Sequence, residues 1–150
     1  MRAALLLLLL ALAGCTSTPQ ATRERDAEAK RFLARADAAV IYVYRDETGT
    51  ALDTDQTDLY VDDRLIGSTQ PGSFFRFDVR AGAHLLHGYG YDQGRLKLDA
   101  RNGEIYFVSL TTASGTSDFR LVAPETGKRD ILRCCSLFEN WAPGQRPSLY

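Results

Sequence analysis

Excess charge of one sign, histidine, tryptophan and spanning-length apolar runs are all missing or scarce in this 150-residue sequence. Lys and Arg number 18 against 19 Asp and Glu, a formal net charge of −1. With no basic excess to set against phosphates, the sequence offers no electrostatic case for nucleic acid. Two histidines occur, His84 and His87. Three apart on a strand, they face opposite sides and cannot share one metal ion without a bulge. No Gly-x-Ser-x-Gly and no His-Glu-x-x-His is present, so neither a nucleophile elbow nor a zinc-protease helix is available. Gly88-Tyr89-Gly90-Tyr91-Asp92-Gln93-Gly94 comes near a dinucleotide fingerprint, but its third glycine is one place late and no helix follows. Asp53-Thr54-Asp55-Gln56-Thr57-Asp58 is carboxylate-rich. It lacks the Gly and the Glu of a calcium loop at Asp58 and Arg64, so it reads as a solvated loop. The expectation is therefore no catalytic residue, no metal site and no cofactor.

What is present is concentrated at the N-terminus. Arg2 precedes Ala3–Gly14, an unbroken apolar stretch, well short of the roughly 20 residues a bilayer-spanning helix needs. A positive start, an apolar stretch and a small-residue junction make a secretory signal. The junction, Leu12-Ala13-Gly14-Cys15, looks like the lipobox of bacterial lipoproteins. That resemblance implies cleavage before Cys15 and a diacylglycerol on its thiolate, the soft nucleophile that forms the thioether. Cleavage there leaves 136 residues and, with Arg2 gone, a formal charge of −2, enough chain for one domain. One acyl chain binds a membrane marginally, and two or more hold stably. Thr16, where Gram-negative inner-membrane lipoproteins carry aspartate, implies an outer-membrane protein facing the periplasm. Residues 15–22 are expected to form a lipidated tether.

Hydrophobic residues make up 45% of the sequence and aromatics 10%, which excludes a wholly disordered chain. Residues 23–36 lack glycine and proline, and Ala29, Phe32, Leu33 and Ala36 fall on one helical face, so a short helix is expected. Beyond Asp37 the period becomes two. Strands are expected at 38–45, 59–62, 64–68, 73–79, 84–91, 95–100, 104–110 and 116–123, with Asp62-Asp63 as a tight turn. About seven to eight short strands predict a mainly β domain over 37–135, an antiparallel β-sandwich. A helical turn over 128–135 should bury Ile131 and Leu132, and 136–150 should be an irregular tail. Cys134 and Cys135 are adjacent. Their Cα atoms are then closer than an ordinary disulfide allows. In an oxidising compartment they could be a strained pair, redox or inter-chain thiols, or buried thiols, and buried thiols fit best.

The lipobox, the charged helix, Val40-Ile41-Tyr42-Val43-Tyr44-Arg45 and Leu59–Gly67 resemble a group of uncharacterised proteobacterial lipoproteins catalogued as a domain of unknown function. Phe74-Phe75-Arg76-Phe77, Ala81-Gly82-Ala83-His84 and Gly103–Val108 belong to the same resemblance. Residues 59–110 are also similar to PEGA-type domains, which are small β-sandwiches, although Asp63 stands where their hairpin usually has glycine. The resemblance implies no activity and no catalytic residue. The expected function is a non-catalytic structural or interaction role in the cell envelope, with the membrane bound through lipid and an envelope protein as partner. Phe138 and Trp141 are the expected partner surface. A secretion- or pilus-type subunit and a small-ligand binder or cryptic enzyme are the two alternatives.

Overall fold

The computed structural model describes residues 18–46, 57–88, 94–113 and 115–140. Strand β1 (Ala39–Arg45) is buried at all seven positions, as its unbroken run of β-branched and aromatic residues requires. The strands that follow are β2 (Thr57–Val61), β3 (Arg64–Thr69), β4 (Ser73–Val79), β5 (Gly82–His87), β6 (Arg95–Ala100), β7 (Ile105–Ala113), β8 (Thr116–Val122) and β9 (Ser136–Leu137). They form two sheets, ordered β8-β7-β1-β4-β9 and β3-β2-β5-β6. The expected sandwich is present. Most neighbours are antiparallel, but β1 pairs with β7, and β4 with β9, in parallel. The whole second sheet is threaded between β1 and β7 in the chain, and that long connection lets them run the same way.

Between the sheets lie Ile41, Val43, Leu59, Val61, Ile66, Phe75, Phe77, Leu86, Leu98, Val108, Leu110 and Phe119. The other face of the five-stranded sheet carries Val40, Tyr42, Tyr44, Phe74 and Phe107. Two helices, α1 (Arg23–Ala29) and α2 (Pro124–Cys134), supply the residues that cover it, Ala29 and Ile131, joined by Cys135 and Leu137. The domain thus has a third, partial layer. Tyr42 stacks on Phe107 at 5.1 Å and 14°, and Phe32 meets both rings edge-on at 5.3 and 5.6 Å, the two arrangements that aromatic quadrupoles favour.

The helices depart from expectation. α1 ends at Ala29, not at residue 36. Phe32 adopts φ 51°, which breaks the helix and swings its ring onto Tyr42 and Phe107. The Tyr42 hydroxyl donates to Ala29 O at 2.7 Å, satisfying one of the helix's terminal carbonyls. The Ala29-Phe32-Leu33-Ala36 stripe is therefore not helical, and Leu33 is exposed. α2 is longer than the expected turn, because Pro124 begins it at the first helical position, where a missing N–H costs nothing. Ile131 is buried as expected, whereas Leu132 is 59% exposed. Gly127 is the point of closest approach. A Cβ there would lie 2.4 Å from Phe107 Cβ and Cγ, so only glycine lets α2 seat on β7.

Candidate functional site

Strand directions divide the sandwich into two ends. At one end, the β2–β3 hairpin turns at Asp62 and Asp63, with φ 50° and 61°. Both positive values make this the two-residue turn expected from the sequence, on residues that tolerate that region. The Asp62 carboxylate accepts from Leu85 N at 2.9 Å and meets His84 Nδ1 at 2.6 Å. His84 Nε2 lies 2.8 Å from Arg80 O. On the opposite face of β5, His87 stacks on Tyr60 at 5.2 Å. Its Nε2 lies 3.1 Å from Asp63 Oδ1, and its Nδ1 2.6 Å from Gly88 O. Each ring is therefore held by both nitrogens, one to a carboxylate and one to a backbone carbonyl. These are clamps that fasten the hairpin to β5, and the separation read from the sequence holds. Nearby, the Arg35 guanidinium bonds to Asp37 and holds its carboxyl below the usual carboxylate range.

The opposite end gathers the polar interior. Arg45, 2% exposed, donates from Nη2 to Thr112 Oγ1 at 2.7 Å. Thr69, Ser73 and Ser117 are buried at the same end. Arg45 O accepts from Gly72 N at 2.9 Å, and Cys135 Sγ lies 3.6 Å from that same oxygen. Cys134 and Cys135 are joined as a vicinal disulfide with Cα atoms 3.7 Å apart. This is the strained pair among the alternatives read from the sequence, rather than the buried thiols favoured there. Tyr44, on the helix side, donates to Asp130 Oδ2 at 3.0 Å, and burial followed by that bond pushes its phenol well above its ordinary value.

The segment expected to be a loose tether is docked from Thr18 onward. Thr18 is 4% exposed, and its hydroxyl accepts from Ser68 N on β3 at 2.8 Å. Ala21 N donates to Leu137 O at 2.9 Å and Glu139 N to Pro19 O at 2.8 Å, with Gln20 bridged to Phe138 in antiparallel fashion. Asp26 Oδ1 accepts from Leu137 N at 2.7 Å, and Arg25 forms an ion pair with Glu139. Residues 18–21 are thus a strap that covers the edge strands of both sheets, β3 and β9. Sheet edges left open invite pairing with other chains.

The sequence-derived site residues fare unevenly. Leu12, Ala13, Gly14, Cys15 and Trp141 lie outside the described residues, as do 53–56 of the acidic loop and 89–93 of the glycine-rich stretch. Phe138 is half-buried and packs edge-on against Phe75 at 6.2 Å, so the fold itself uses much of its surface. No group of three or more His, Cys, Asp or Glu side chains is placed to hold a metal among the described residues. Sequence reasoning missed the strap and the buried Arg45. The strap could not be read, because its contacts are largely backbone hydrogen bonds that any residue can make.

Residues 35–123, from just before β1 to the end of β8, match a family described as a protein of unknown function, DUF2846. The chain belongs to that family. The family's extent coincides with the two sheets up to β8 and leaves out the strap, α1, α2 and β9. An uncharacterized protein of Haemophilus influenzae (strain ATCC 51907 / DSM 11121 / KW20 / Rd) is 31% identical over 137 residues, covering 87% of this chain and 80% of its own length.

Proposed function

We propose that this DUF2846 protein is an outer-membrane lipoprotein whose β-sandwich serves a non-catalytic structural or protein-interaction role in the periplasm. The observation that carries the reading is Leu12-Ala13-Gly14-Cys15 directly after the apolar stretch 3–14. No helix among the described residues is long and apolar enough to cross a membrane, so covalent lipid on Cys15 is the attachment we assign. Two or more acyl chains on one residue suffice for stable anchoring. The non-catalytic part rests on the histidines, whose four ring nitrogens are all engaged, two by the hairpin carboxylates Asp62 and Asp63 and two by the backbone carbonyls of Arg80 and Gly88. We also read the two-residue Asp62-Asp63 hairpin and the following Ala81-Gly82-Ala83-His84 turn as kinship with PEGA-type domains.

Growth with radiolabelled palmitate tests the anchor. Label is expected in the wild-type protein and absent from Cys15→Ala. Equal labelling of both proteins, or of neither, overturns the proposal.

A further inference from the structure

We infer that the corner of the sandwich where the strap meets β3 and β9 is the surface apposed to the membrane, its partner being the phospholipid headgroups of the bilayer that carries the anchor. The inference rests on the lipoprotein reading of Cys15 and adds an orientation to it. Thr16 and Ser17 are all that separate the lipidated cysteine from Thr18. Whatever their path, the three Cα–Cα steps from Cys15 to Thr18 reach at most about 11 Å when fully extended. A headgroup layer is itself roughly 5–8 Å deep, the difference between full and hydrocarbon bilayer thickness shared over two leaflets. Thr18 therefore cannot stand off from the headgroup surface by more than a few ångströms.

Thr18 is also fixed to the body. It is buried, bonded to Ser68 N, and followed by the pairing of 19–21 with 137–139. Where Thr18 goes, the corner carrying Ser68, Gln70 and Glu139 goes with it. β6 packs on β8 and β3 on β4, so β3 and β9 lie at matching edges of the two sheets, with β6 and β8 at the opposite edges. The Arg101–Gly103 turn follows β6 and lies at the end of the strands away from Gly72, because β1 pairs Ala39 with Val79 near that turn and Arg45 with Ser73 near Gly72. It is about 20 Å away along β1 and roughly three strand spacings across. The covalent leash thus orients the domain, with the Arg101–Gly103 turn facing away from the bilayer.

The test uses the native lipidated protein in nanodiscs containing a phospholipid with a nitroxide headgroup. Intact mass first establishes whether lipid is on Cys15. Paramagnetic broadening is then read at individual backbone amides. Ser68 and Gln70 are expected to relax roughly tenfold faster than Asn102, since the distances differ by about 20 Å or more. A variant with about 12 Gly/Ser residues inserted after Ser17 keeps the lipid and is expected to lose this gradient. A lipidated protein with uniform broadening, or with Asn102 the more affected, overturns the orientation while leaving the anchor intact. A protein without lipid on Cys15 overturns the anchor and the orientation together.

Discussion

Tyr44 ties the outer face of β1 to α2 through its bond to Asp130, and its ionisation gives a stability signature. Burial, then the Asp130 bond, raises its phenol in the folded protein. The unfolded chain releases that proton near pH ~10, while the native state keeps it. The contribution is therefore complete below about pH 10 and is lost as pH rises beyond it. Tyr42 is raised in the same direction, chiefly by burial. Melting temperature followed from pH 8 to 11.5 is expected to fall less steeply for Tyr44→Phe than for wild type, with Tyr42 keeping part of the alkaline loss. Gly127 supplies the steric counterpart. Adding a methyl group 2.4 Å from Phe107 atoms overpacks the seat of α2. Gly127→Ala is expected to cost about 1–3 kcal/mol in urea denaturation.

Among the elements, the Asp62-Asp63 hairpin divides its work unequally. Asp62 accepts from Leu85 N and holds His84, whereas Asp63 touches only the rim of His87 through a carboxylate that is almost wholly exposed. Asp62→Ala is expected to cost about 1–2 kcal/mol. Asp63→Gly is expected to be close to neutral, because glycine takes the positive φ without strain and offsets the lost contact. Thermal denaturation of the two variants checks the ordering. The strands were legible because alternation and β-branched runs report burial directly, as in Phe75-x-Phe77-x-Val79 and in β1. The helices were not. α1 shows nothing in its sequence that stops it at Ala29, since the stop is made by tertiary contacts of Phe32 and Tyr42. Pro124 reads as a breaker in isolation and becomes a helix start only once β8 delivers the chain to that point. The parallel pairing of β1 with β7 is likewise a property of topology, which hydrophobic period does not encode.

For the whole molecule, two independent kinds of information meet at Thr18. Upstream lies the stretch that we propose to be an address and an attachment residue, a reading that rests on spacing and residue type at 12–15. Downstream the fold is tied together by backbone bonds that composition conceals, so residues 18–21 of the expected tether belong to the folded body. The buried polar end around Arg45 and the vicinal cysteines were half legible. The adjacency of Cys134 and Cys135 is written in the sequence, but the placement of Cys135 beside Arg45 O is made by the fold. Cell fractionation should find the wild-type protein in the outer membrane and Cys15→Ala lost from it, since the acyl chains on Cys15 are the attachment proposed. The central claim is tested most directly by intact mass spectrometry of the mature protein extracted from membranes. The account predicts a chain that begins at Cys15 and carries the added mass of a diacylglycerol. A chain that begins elsewhere, or one with Cys15 unmodified, would contradict it.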